Sequence, residues 1–441
     1  MEGQKAAAQY DIANITTFQK NYHFTKNSDQ TIYSTFDNEI HNTTWYAKSD
    51  IATTLKKDGE YSFPVDSAFY HALLKSTLMF DLPAVHLRPE YVDDYEIAYC
   101  YNVGTNLIKR VEFNPGKIIQ TLSGTQFLDV YGQFFAKKRK NYFRGIGRVP
   151  QLTTFKKSLP QYHLVIRLPF WYSADNTTAF PLIFCRDKNV QITCSLHTDL
   201  TSFIRLRHKV GEGVTGPDIY DGYRYIKGDQ VKHYLTIEDP DIMKTVTLVN
   251  KYGLMNSSTL DDFRANTSYL IRNTVCCPKR GIFERKQSIS EDLKCNNPAL
   301  AWFVTVANLK ALEYNNYSNY TTNPFSINEG YLPIGKIDIR YDATTIRIED
   351  IGASYFDIEE ADHFPKAPID IGYLSYSIAR DISTLNEVDL TTSLHNGVKF
   401  SCDLDDETDF GNTYRMYILL YVYQQLDFVH QGNDRYEIML I

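Results

Sequence analysis

The chain has 441 residues, a formal net charge of −7 and 43% hydrophobic residues, enough for two or three domains with sizeable cores. With 22% charged and 14% aromatic residues it buries enough apolar surface to exclude intrinsic disorder. Its acid excess argues against wrapping duplex nucleic acid, which needs a net basic face.

Taken from its start, Met1-Glu2-Gly3-Gln4 shows no apolar leader pattern, and no apolar run nears the ~20 residues that span a bilayer. The 33 Tyr and 25 Phe against 3 Trp favour strands, whose pleated surfaces suit flat rings. Helical spacing shows in short pieces such as Phe127–Phe135. The basic run Lys137-Lys138-Arg139-Lys140 follows and is read as a solvated loop, with contact to a polyanion as the alternative. Leu164–Leu168, Asn189–Cys194 and Val246–Val249 read as strands. Between them Val210–Asp229 carries five glycines and reads as a long loop. Lys336–Tyr341 and Thr345–Glu349 alternate with period two around Asp342-Ala343-Thr344, which predicts a hairpin. Leu374–Ile378 is another strand. The unbroken apolar run Tyr417–Tyr423 suits a strand buried on both faces. Many short strands punctuated by Gly, Pro, Asn and Asp predict an all-β chain of sandwiches. A polar stretch from Asn256 to Asn266 sets the expected division at 1–258 and 259–441.

The motifs offer little chemistry. Gly211-Glu212-Gly213-Val214-Thr215-Gly216 has the letters of a dinucleotide loop but no strand before it or helix after it, so it reads as plain loop. Cys100, Cys185, Cys194, Cys276, Cys277, Cys295 and Cys402 form no disulfide framework and no tetrahedral set, and read as reduced, mostly buried thiols. The acidic run Asp403, Asp405, Asp406, Glu407 and Asp409 lacks the Gly hinge and distal Glu of a calcium loop and reads as solvated. Glycosylation sequons stand at Asn14, Asn42, Asn176, Asn256, Asn266, Asn316 and Asn319. No nucleophile elbow, phosphate loop or zinc-binding His-Glu-x-x-His occurs. No catalytic, cofactor-binding or metal-binding residue is assigned, and no cofactor is expected.

The segments Leu168-Pro169-Phe170-Trp171-Tyr172, Ala179-Phe180-Pro181-Leu182-Ile183 and Lys188-Asn189-Val190-Gln191-Ile192 resemble the double jelly-roll major capsid proteins of the nucleocytoplasmic large DNA viruses. The resemblance continues, in that family's order, through Phe24–Asn27, Tyr61–Pro64, Leu78–Pro83, the expected strand pair Asn106–Phe113 and Ile118–Gln120, Asp261–Arg264, Tyr269–Ile271, Leu300–Val304, Ser354–Phe356 and Tyr373–Ile378. It departs at Val65-Asp66-Ser67, at Gln431–Tyr436 and in the Thr201–Asp229 loop. It implies an all-β double jelly roll, two tandem eight-stranded rolls with a few short helices in loops. The first has an N-terminal arm and a Gly-rich loop near 209–232. The implied function is structural and not enzymatic: a homotrimer that forms pseudo-hexameric capsomers tiling an icosahedral shell, in a virion assembled in the host cytoplasm. Implied partners are neighbouring capsomers and minor capsid proteins, with no sequence-specific nucleic acid; an internal membrane beneath the shell and glycans on surface loops stay open. The alternatives are a minor capsid or scaffold paralogue, a carbohydrate-binding sandwich, or an enzyme on a β-sandwich.

Overall fold

The structure, a computed structural model, describes residues 45–440 except 52, 57–58, 175–177, 242–244, 256–259, 261–263, 265–266, 279–280, 296, 341–345, 359–362, 378–381, 383–397 and 433–434. At 45–51, 53–56, 276–278, 346–347 and 357–358 it describes the backbone alone.

Two sandwiches with the same connectivity follow one another. The eight principal strands of the first are Trp45–Ile51, Glu60–Pro64, Ala72–Leu82, Ile108–Asn114, Gln120–Ser123, Tyr162–Leu168, Gln191–Leu196 and Thr247–Gly253. Its first, eighth, third and sixth strands lie side by side in one antiparallel sheet; the second, seventh, fourth and fifth form the other. The second sandwich is built from Ser268–Pro278, Ser288–Leu293, Ala299–Asn308, Ile334–Arg340, Ile346–Gly352, Tyr373–Ser377, Val398–Leu404 and Thr413–Gly432. Its two sheets repeat both orders strand for strand. This is the jelly-roll arrangement, twice. Among the described residues no ladder joins a strand before residue 254 to one after 267.

Period-two patterning sets the cores. In the first roll Leu78, Phe80, Leu82, Leu164, Ile166, Leu168 and Leu248 of one sheet face Phe63, Val111, Phe113, Ile192 and Cys194 of the other. In the second, Trp302, Val304, Val306, Leu374 and Leu420 face Ile337, Ile339, Phe400 and Cys402. Strands in each roll alternate in direction, so the loops leaving the third, fifth and seventh strands open at one end. In the first roll these loops hold the insertions 83–107, 124–161 and 197–246.

The expected strands are all present, some displaced by a few residues. The hairpin joins Ile334–Arg340 to Ile346–Gly352, while its turn lies outside the described residues. Three expectations need correction. Asn106 and Leu107 end a short helix, Val103–Leu107, ahead of a strand that begins at Ile108. The strand expected at Ile118–Gln120 begins at Gln120. The stretch Val210–Asp229 is a loop only in its first half: Ile219–Tyr220 and Tyr223–Ile226 form a tight hairpin that pairs with Ile204–Lys209. Its turn is Asp221-Gly222, with φ of 49° and 72°, the left-handed pair that a two-residue hairpin turn requires.

Candidate assembly surfaces

A β-sheet with only one face against a core should alternate buried and exposed residues. The third strand of the first roll, Ala72–Leu82, does so over most of its length. The equivalent Ala299–Asn308 is buried at all 10 positions. The cause is a second layer: Trp302, Val304 and Val306 point into their own roll, while Ala301, Phe303 and Ala307 pack with the first. On Thr413–Gly432 the split repeats. Tyr414, Met416, Ile418, Leu420 and Val422 point inward, whereas Tyr417, Leu419, Tyr421 and Tyr423 meet the first roll. The run Tyr417–Tyr423 is therefore a strand between two cores.

What the first roll sends to this face comes from the segment after its fifth strand. A wide turn, Gly124–Leu128, leads into the helix Asp129–Phe134. The Phe134 and Phe135 rings sit 5.0 and 5.7 Å from that of Phe303, and Phe135 lies 5.3 Å from Tyr421. Close to them the edge strand of the first roll meets the first strand of the second, with Gln120 donating to the Arg272 carbonyl at 3.3 Å.

Polar groups then lock the seam. Arg148 grips Asp370 with both guanidinium nitrogens, one at 2.6 Å. Gln133 donates to the same carboxylate at 2.6 Å and accepts from the Ile369 amide at 3.0 Å. Burial draws the Arg148 pKa down, but the hydrogen bond and charge of Asp370 outweigh it, and the net direction is up. A few residues away Asp129 is fully buried, accepting from Thr105 at 2.6 Å and from Ser318 of the second roll. Burial pushes its carboxyl up to about 7, against the lowering effect of those hydroxyls. At the insertion end, Tyr225 of the first roll stacks on Phe325 of the second at 4.6 Å. Asn315 donates to the carbonyls of Thr201 and Ile204 at 3.0 and 2.8 Å.

The matching face of the first roll is open by comparison. Met79, Val165 and Thr247 stand in one cross-strand row, and Thr77, Arg167 and Val249 in the next. Val165 is 41% exposed and the other five are partly exposed. Lys75 and Lys251 pair beside them, and at the other end His163 meets Asp81 at 2.7 Å.

The residues singled out from sequence distribute unevenly. Lys137, Lys138 and Lys140 are exposed as expected. Arg139 is not part of a solvated loop: it starts the helix Arg139–Gly145 and donates to the carbonyls of Gln133, at 2.6 Å, and Ala367. Asp406 corrects the reading of the acidic run, since it is fully buried and accepts from Tyr414 at 2.6 Å and Asn412 at 2.8 Å. Asn316 and Asn319 are buried with their amides bonded to backbone, so neither is open to a glycan in the folded chain; the other five sequons lie outside the described residues. So do Phe24–Asn27 and the side chains of Cys276 and Cys277; the remaining five thiols are buried. Gly211, Gly213 and Gly216 sit in exposed loop. The seam residues Asp370, Arg148 and Asp129 carry no local signal, because their partners lie up to 237 positions away.

A family model described as the N-terminus of the major capsid protein matches residues 34–218. The chain is 23% identical over 413 residues to the major capsid protein of Lymphocystis disease virus 1, covering 87% of this chain and 84% of that one. Among solved structures it is similar to the Faustovirus major capsid protein, with a TM-score of 0.62 at 10% identity over 87% of this chain and 90% of the other. It is also similar to VP54 of PBCV-1, with a TM-score of 0.60 at 14% identity over 90% and 97%. Residues 34–218 thus match the major capsid protein N-terminus, and over most of its length the chain is similar to viral major capsid proteins and shares their double jelly-roll fold.

Proposed function

We propose that this chain is the repeating subunit of an icosahedral virion shell and that three copies close into a trimer of pseudo-six-fold outline. One observation carries this reading. The two rolls share one connectivity, yet the outer sheet face of the second is covered by the first, while the equivalent face of the first is left partly exposed. A patch that is satisfied within the chain on one roll and unsatisfied on the other is a head-to-tail interface, which closes into a ring when the rotation allows. Three copies of a two-roll chain make a ring of six rolls. A division of the rolls at about residue 258 is part of this reading, and it is supported by ladders of the first roll that end at Gly253 and ladders of the second that begin at Ser268. Neighbouring trimers and minor capsid proteins are its partners, and the virion is where it resides, as the kinship with viral major capsid proteins supports.

Electron microscopy of the purified protein tests the proposal. Hexagon-shaped particles are expected; a field of single two-lobed particles at micromolar concentration would contradict it.

A further inference from the structure

We infer that Asp129 is a proton-operated latch between the two rolls: the seam is shut while the carboxyl holds its proton and loosens as the proton is lost. The latch acts within one chain and needs no second copy.

A line of hydrogen bonds crosses the seam and returns. The Asn106 side-chain amide of the first roll donates to the Ser318 hydroxyl of the second at 3.0 Å, and Ser318 donates in turn to Asp129, back in the first. On the other side of the carboxyl, the Thr105 hydroxyl lies 2.6 Å from Asp129 and 2.9 Å from the Asn102 carbonyl. A hydroxyl has one proton to give. A protonated Asp129 donates to Thr105, Thr105 donates to Asn102, and every link is made. An ionised Asp129 draws the Thr105 proton to itself and breaks the link to Asn102. Asn102 and Ser318, on either side of the carboxyl, hold φ of 54° and 56°. This is left-handed backbone that a non-glycine residue adopts at a cost and that gathers at switch regions.

Among the described residues no cation pairs with this carboxyl, which is 1% exposed. The titratable groups that face it are Cys100, Tyr142, Tyr320, Tyr373 and Asp370, all neutral or negative. Of the cations on the elements around it, Arg148 is taken up by Asp370 and Arg139 by the carbonyls of Gln133 and Ala367, while Lys140 and Arg144 are exposed. Burial without a counter-charge favours the protonated acid, in keeping with a carboxyl raised from 3.8 to about 7. Closing the seam therefore takes up a proton between about pH 4 and about pH 7. Within that window each pH unit makes opening about tenfold more frequent. Below it the open and closed forms are both protonated, above it both are ionised, and the dependence stops.

The test is hydrogen exchange of the full-length protein by mass spectrometry at several pH values, corrected for the pH dependence of exchange itself. The seam is read at residues 129–135 and 364–373, the second core at Val398–Leu404. Wild type should open its seam about 100-fold more often at pH 8 than at pH 5, with the rise levelling off above pH 7. Asp129→Asn, which cannot ionise, should open it equally often at both. Ser318→Ala removes a donor that favours the ionised form, so its rise should extend to higher pH. Melting temperatures check that each variant is folded. Seam opening in wild type that ignores pH, or that rises equally in folded Asp129→Asn, would overturn the latch. So would a seam that exchanges only in step with the second core, because the whole chain would then be opening rather than the seam.

Discussion

Three carboxylates define how residues hold this molecule together. Asp370 is clamped by Arg148 and Gln133 across the seam. Removing one partner of this partly buried ion pair leaves the other poorly paired, so Asp370→Ala should cost about 1–3 kcal/mol, read by denaturant unfolding; a loss below ~0.5 kcal/mol would show that the clamp is incidental. Asp129 behaves oppositely with pH. Burial raises its folded pKa from the ordinary 3.8 to about 7, so the folded state favours the protonated acid. The stability this brings is complete below about pH 4 and is lost as pH rises through about 7. Asp129→Asn, which cannot ionise, should therefore gain melting temperature relative to wild type between pH 5 and pH 8; a difference that stays flat with pH would contradict the assignment. Asp406, buried against Tyr414 and Asn412, shapes the turn into the last strand. None of the three was legible as a buried group. A carboxylate counts as solvated until its donors are known, and here they come from a folded turn or the other roll.

At the scale of elements, pattern was informative wherever one core decided the burial. Strands such as Tyr162–Leu168 alternate cleanly and read directly as strands. Tyr417–Tyr423 lacked alternation, which marked it as covered on both sides; that the second cover is the other roll required the structure. The hairpin at Ile219–Ile226 carried its own signal in Asp221-Gly222, masked by the glycines around it. Gly124 carries a different constraint, since a Cβ there would stand 2.0 Å from the Ile108 carbonyl, and no neighbouring residue reveals that approach. The two faces of Thr413–Gly432 also separate experimentally. Leu420→Ala empties part of the second core and should cost about 2–5 kcal/mol. Phe303→Ala with Tyr421→Ala removes rings from the seam and spares both cores. The double variant should melt in two calorimetric steps where wild type melts in one, and a single undivided transition would contradict a seam built on those rings.

For the whole molecule, the decisive property is tandem repetition with unequal covering. Two rolls of one topology lie side by side, and the aromatic surplus fills both cores and the seam between them: Tyr99, Tyr172, Tyr252, Tyr373, Tyr414 and Tyr423 are among its largest fully buried side chains. Composition and period predicted the class of fold, and the ordered series of segments from Phe24 to Ile378 pointed to the double roll. The covering could not be read in the same way, because it depends on which outward residues find a neighbour after folding. The closed ring proposed above rests on that asymmetry. Native mass spectrometry of the full-length protein tests it most directly: the account predicts a dominant species of three times the chain mass, and a spectrum holding only single chains would contradict it.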